Sequence, residues 1–140
     1  MMKLSTMKAL CRTVDAHGQS AVVDEILRRW QTVDEKVGRE RAKMWRASAN
    51  FVFTFQNSGQ NYILRFNHAA EREPAALQAE VDYLNYLLGQ GLRVSRPVRS
   101  CAGRFVESVE TPLGQYHAVA FEALPGKQFE EAGELSPAHL

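Results

Sequence analysis

Phe51-Val52-Phe53-Thr54-Phe55-Gln56-Asn57-Ser58-Gly59-Gln60-Asn61-Tyr62-Ile63-Leu64-Arg65-Phe66 is the stretch whose reading decides the fold. Three phenylalanines alternate with Val52, Thr54 and Gln56, the two-residue repeat by which strand side chains point to opposite faces of a sheet. Asn57-Ser58-Gly59 is turn chemistry, so residues 62–66 read as the return strand of an antiparallel hairpin. That strand is apolar but for Arg65. Fifteen residues later comes Glu80, inside a segment with Leu77, Val81, Leu84, Leu87 and Leu88 at helical spacing. Pro74 suits the first turn of this helix, Glu71 and Glu73 lie near its positive end, and Gly89 or Gly91 stops it.

Outward from this centre the chain is regular. Upstream, Ser5 is placed to cap a short helix through about Val14, closed by the Asp15-Ala16-His17-Gly18 turn. Ser20 is placed to cap a second helix, with Val22, Val23, Ile26, Leu27 and Trp30 on one side. From Lys43 the period changes to that of a strand. Downstream of the long helix, Arg96-Pro97-Val98 leads into two further strands, at 104–109 and 115–121, with Thr111-Pro112-Leu113-Gly114 turning between them. The order predicts an α+β fold: a mainly antiparallel sheet with one long helix, preceded by a two-helix extension. The boundaries expected are 1–42 for the extension, 43–121 for the sheet-and-helix lobe, and 122–140 for a linker and the start of a further unit.

Composition narrows the class. A chain of 140 residues with 45% hydrophobic and 24% charged residues is that of an ordinary globular domain or one lobe of a larger one. A net charge of +1 gives no general attraction to nucleic acid or anionic membrane. The basic run Arg39, Arg41, Lys43 and Arg46 reads as a solvated edge, with a phosphate-binding patch as the alternative. Cys11 and Cys101 lack metal-ligand spacing and read as reduced thiols of a cytoplasmic protein. No stretch is apolar for long enough to serve as a signal peptide or membrane span. His17, His68 and His117 have no partner at a fixed spacing and read as surface or packing residues, as do Trp30 and Trp45.

The chemistry centres on a strand arginine beside a helical glutamate, and two readings stand. The pair is either a fastener between helix and sheet, or a cleft cation held in place to meet phosphate. Arginine suits the second because its planar fork bonds a carboxylate and a phosphate oxygen together. A second element is the apolar strand ending Phe121-Glu122-Ala123-Leu124-Pro125-Gly126. A strand that breaks there is either leaving its domain or offering free backbone groups to an adenine edge.

Four segments in this order resemble the N-terminal lobe of the phosphotransferase enzyme family, which includes aminoglycoside phosphotransferases, homoserine kinase type II and choline kinase-like enzymes. They are residues 51–66, Ala79-Glu80-Val81-Asp82-Tyr83-Leu84, Gly91-Leu92-Arg93-Val94-Ser95-Arg96-Pro97, and residues 121–126. The resemblance covers roughly residues 43–140 and implies a kinase-like nucleotide lobe. By that resemblance Arg65 corresponds to the strand cation on the α- and β-phosphates, and Glu80 to its helical partner. Val52 and Ile63 correspond to the apolar ceiling over adenine, and Phe121 to the residue guarding the back of the pocket. The carbonyl of Glu122 and the amide of Leu124 correspond to the groups that bond adenine. Ser48-Ala49-Asn50 takes the place of the phosphate-covering loop.

The resemblance implies ATP-dependent phosphoryl transfer to a hydroxyl of an aminoglycoside, amino alcohol or homoserine-like acceptor, with Mg²⁺ bridging the phosphates. Three departures stand out. The strand cation is Arg instead of Lys, and the covering loop has no glycine, so Ser48 or Asn50 side chains would have to assist there. The family's His-x-Asp catalytic segment and metal-binding Asp motif are expected beyond Leu140, so no catalytic or metal-ligating residue is assigned within the chain. The chain alone is therefore expected to be inactive and prone to self-association through an uncovered floor of Val52, Ile63, Phe121 and Leu124. The rival reading is a non-catalytic binding lobe or a degenerate remnant. A reading frame continuing into those motifs favours the enzyme; a frame without them favours the rival.

Overall fold

The structure is a computed structural model that describes residues 2–31, 41–57 and 59–124. The elements are α1 (Leu4–Cys11), α2 (Ala21–Leu27), β1 (Lys43–Ala47), β2 (Phe51–Asn57), β3 (Gln60–His68), α3 (Pro74–Gly89), β4 (Pro97–Val98), β5 (Val106–Thr111) and β6 (Gly114–Glu122). The strands form one antiparallel sheet in the order β1-β2-β3-β6-β4. The outer edge of β6 is shared: β5 pairs along residues 114–119 and β4 along 120–121. This is the α+β layout the sequence predicts. The expected linker at Pro125-Gly126 and the segment after it lie outside the described residues, as do Arg39 and Ser58.

The period-two pattern divides the sheet into two chemically different faces. On one face Phe51, Phe53, Phe55, Leu64, Phe66, Tyr116, Ala118 and Ala120 join Leu10, Val23, Ile26 and Leu27 of the first two helices in a single buried cluster. Phe66 stacks on Phe51 at 5.3 Å between centroids and meets Tyr116 edge-on at 5.5 Å, geometries worth more than the area they bury. The two-helix extension is thus part of the lobe's own core. On the opposite face Leu77 and Val81 of α3 pack on Val119 and Phe121, with Leu84, Phe105 and Val106 around them.

The helix ends show how local and distant signals share the work. Ser20 caps α2 as expected, its hydroxyl accepting from the Val23 amide. Ser5 does not cap α1; it lies in the first turn, and Lys3 is the cap residue. The Glu71 carboxylate accepts from the Lys3 amide (2.9 and 3.2 Å), so an acid from after β3 satisfies a donor there instead. The same amide contact holds the Glu71 carboxyl below its usual range. The strand expected at 104–109 begins later, because Ser100 Oγ accepts from the amides of Ala102 and Arg104 and holds a turn there. Gly18 (φ +77°) lets its carbonyl take the Met44 amide at 2.7 Å, which anchors β1 beside α2.

Candidate functional site

Strand register, not proximity in sequence, assembles the site. In an antiparallel sheet directly opposed residues share a face. Val52 opposes Arg65, which opposes Val119; Thr54 opposes Ile63, which opposes Phe121. Val52, Ile63, Arg65 and Phe121 therefore lie in two adjacent rows on the face that α3 covers in part. The other face is filled by the aromatic core, so this face is the one free to carry charge.

Arg65 and Glu80 form an ion pair between β3 and α3, with side chains 20% and 33% exposed. The guanidinium also lies 5.2 Å from the centroid of the Phe121 ring, a cation–π contact that shields the ring from solvent. The floor is accordingly less open than the sequence suggests: Val52 and Phe121 are buried, and Ile63 and Leu124 are half-buried. Arg65 is not saturated by Glu80. Its Nε is buried with no hydrogen-bond partner among the described residues, and a buried donor left unpaired is costly unless something arrives to pair it.

The loop between β1 and β2 is three residues long, Ser48-Ala49-Asn50, and is fixed by side chains instead of glycine geometry. Asn67 Nδ2 donates to the Ala49 carbonyl (3.0 Å), Arg72 Nη1 donates to Asn50 Oδ1 (3.4 Å), and the Ser48 amide donates to the Asn50 carbonyl (3.1 Å). Ser48 is exposed and Asn50 half-buried. Asn67 and Arg72 were not singled out from the sequence. Asn67 was findable, since it stands two residues after Arg65 on the same face of β3.

At the far end of the rows the chain after Phe121 is held from both sides. The Glu122 amide donates to the Arg96 carbonyl (2.8 Å) and the Ala123 amide to the Asn61 carbonyl (3.0 Å). Among the described residues the Leu124 amide has no hydrogen-bond partner. The Glu122 carboxylate lies 4.0 Å from Arg96, a loose and exposed pair.

Other candidates resolve into structural roles. The described members of the basic run do not form one patch: Arg41 bonds Asp24 and Gln19, Lys43 is exposed, and Arg46 is half-buried on the Val52 face. His117 is buried against Ser108 (2.7 Å), and burial lowers its pKa, with Glu73 opposing and His68 assisting. His68 contacts the Leu113 carbonyl, and Trp30 donates to the Val98 carbonyl. Cys11 and Cys101 are free thiols. Among the described residues no group of three or more His, Cys, Asp or Glu is placed to hold a metal ion, and no helix is long and apolar enough to cross a membrane.

Comparison with known proteins places this geometry. The sequence model of the Phosphotransferase enzyme family matches residues 42–140. The amicoumacin kinase of Bacillus subtilis (strain 168) is 25% identical over 95 residues, which are 67% of this chain and 28% of that protein. An uncharacterized protein of Synechocystis, sll1119, is 27% identical over 84 residues, 60% of this chain and 23% of its own length. Among solved structures, amicoumacin kinase hAmiN in complex with AMP-PNP, Ca²⁺ and Ami superposes with a TM-score of 0.65 at 23% identity, covering 86% of this chain and 34% of that one. A microcompartment-associated aminopropanol kinase superposes with a TM-score of 0.63 at 21% identity, covering 75% of this chain and 31% of that one. The chain thus spans about a quarter of the curated relatives it matches, at 23% and 28% of their lengths.

Proposed function

This chain belongs to the phosphotransferase enzyme family, and from that premise we propose that it is the nucleotide-binding part of an ATP-dependent small-molecule kinase. Arg65 bonds the α- and β-phosphates while Glu80 sets the direction of its guanidinium. Val52 and Ile63 form the ceiling over adenine, and Phe121 closes the back of the pocket. The Glu122 carbonyl and the Leu124 amide bond the adenine edge, with Ser48 and Asn50 assisting at the covering loop. The observation that carries the reading is the Arg65 guanidinium: it is fixed by an acid on one side, yet its buried Nε has no partner among the described residues.

The residues present fit a polyphosphate. A planar donor fork that already holds one carboxylate still offers N–H groups to an anion, and the apolar rows beside it suit a nucleobase. The capture of hAmiN with AMP-PNP and Ca²⁺ supports placing a nucleotide on this lobe. In phosphoryl transfer the protein contributes position and charge neutralisation, and a bound Mg²⁺ would supply further neutralisation of the phosphate charge. This chain's part is to hold the phosphates at Arg65 and the base between the two apolar rows. The metal ligands and the group that activates the acceptor hydroxyl are assigned to chain beyond the described residues. The acceptor is a small hydroxyl compound of the aminoglycoside, amino-alcohol or homoserine-like kind, a class supported by the two kinases whose folds this lobe shares.

Titration of the ¹⁵N-labelled chain with ATP tests this. With one wall of the pocket contributed elsewhere, binding on the order of millimolar is expected, with shifts at Val52, Ile63, Arg65, Phe121, Glu122 and Leu124. Arg65→Ala should abolish them. Shifts confined to the exposed cations Arg41 and Lys43 would overturn the reading.

A further inference from the structure

Arg46 has no assigned role, and its position results from a local irregularity. Along β1 and β2, Lys43 opposes Thr54 and Met44 opposes Phe53; then Arg46, not Trp45, opposes Val52. A regular ladder would place Arg46 opposite Phe51, facing the aromatic core. The extra residue is a β-bulge, a device that re-aims side chains. It turns Arg46 onto the face of Val52 and Arg65. The cross-strand row there reads Arg46, Val52, Arg65, Val119, with an apolar residue between two arginines.

Arg46 repeats the feature that marks Arg65. Its Nε is buried and has no hydrogen-bond partner among the described residues. Its guanidinium lies 5.5 Å from the Trp45 ring centroid, and among the described residues no acid pairs with it, whereas Arg28, Arg41, Arg65, Arg96 and Arg104 each have one. At about 4.8 Å per strand, the two arginine Cα atoms are roughly 10 Å apart across the intervening strand. Two side chains of that length can reach one polyphosphate lying over Val52. The covering loop beside them has no glycine, and its Ser48 amide is already committed to Asn50.

We infer that Arg46 is a second phosphate-binding residue, gripping the polyphosphate of a nucleoside di- or triphosphate with Arg65 across Val52. It supplies by side-chain charge what the glycine-free loop does not supply by backbone amides. Glu80 counters the charge of Arg65, so Arg46 contributes the unopposed positive charge. This rests on the proposed nucleotide site and adds a residue to it.

The test compares ATP with adenosine on the ¹⁵N-labelled full chain. Arg46→Met is expected to weaken ATP about tenfold, the scale of one lost charge-assisted contact, and to leave adenosine affinity unchanged. Arg46→Lys, which keeps the charge, should recover most of the loss and covers the case in which Arg46→Met fails to fold. The Trp45 indole resonance should move with ATP and not with adenosine. A structural role for Arg46 would instead weaken both ligands alike, and that result overturns the inference. Unchanged ATP affinity in Arg46→Met, with Arg65→Ala still impaired, refutes this inference alone. No ATP shifts in the unsubstituted chain would refute the nucleotide site and Arg46's role with it.

Discussion

Substituting Glu80 and Arg65 one at a time separates a fastener from a cation held ready for a ligand. Glu80→Ala leaves Arg65 on a largely apolar face with no counter-charge. Breaking a fully buried pair costs about 3–5 kcal/mol, and an exposed pair contributes about 0.2–1 kcal/mol. With side chains 20% and 33% exposed, the expected loss lies between, at about 1.5–2 kcal/mol. Arg65→Met should behave differently. It forfeits the pair and the cation–π contact with Phe121, together about 1–2 kcal/mol. It also removes an unpartnered buried N–H, whose burial costs about 1–3 kcal/mol, and sets a thioether against the Phe121 ring. Glu80, a third exposed, can turn to water. The net change expected for Arg65→Met is within about 0.5 kcal/mol of zero, or stabilising, as at sites where stability is sacrificed for binding. Urea denaturation of both variants and the double variant at pH 7 measures this, the double variant being expected to match Arg65→Met. If Arg65→Met loses as much as Glu80→Ala, the arginine is the bolt between α3 and the sheet, and the ligand argument fails.

Three further outcomes are expected. Tyr116→Phe should be neutral or stabilising by about 1 kcal/mol, because the hydroxyl is buried without a partner and burial pushes its pKa to about 12; a thermal melt showing a clear loss would mean the hydroxyl has a partner. Asn67→Asp should cost at least about 1 kcal/mol more than Asn67→Ala, since it turns an acceptor toward the Ala49 carbonyl that the amide now satisfies; equal costs by urea denaturation would remove Asn67's role in fixing the loop. For His117, burial lowers the folded-state pKa, so the native chain binds fewer protons there than the unfolded chain near pH 6. Stability should be fully present above about 6.5, the unfolded value, and fall as pH drops from there through the lowered folded value. His117→Gln should flatten that part of the profile in denaturation curves between pH 5 and 7.5.

What the sequence made legible follows from which interactions are local. The alternation of Phe51, Phe53 and Phe55 and the helical stripe of α3 are short-range patterns, so strand, helix and the pairing of Arg65 with Glu80 were all readable. Ser20 was readable as a cap because its acceptor reaches an amide three residues on. The α1 terminus was not, because the group that meets the Lys3 amide is Glu71, 68 residues away. Likewise the start of β5 depends on how Ser100 closes its turn, which composition does not show.

Arg46 is the sharper case. Seen as sequence it is the last member of a basic run, and the solvated-edge reading fits Arg41 and Lys43. The reading fails at Arg46 because face assignment on a strand is a parity count, and a single inserted residue reverses the parity. Trp45 performs that reversal, and no local pattern announces it. The consequence is chemical: with the core face occupied by aromatic rings, an arginine placed there would keep its charge and break the packing. Turned by the bulge, it stands in the row of Arg65 with only Val52 between them. A bulge also interrupts the ladder, a local cost. Deleting Trp45 tests whether that cost serves the cation. The deletion closes the ladder with Met44 still opposite Phe53 and Arg46 still opposite Val52, so if the register serves Arg46 the variant should lose no more than about 1 kcal/mol in urea. A loss of about 2 kcal/mol or more would mean that the bulge exists to place Trp45, and that Arg46 merely follows it.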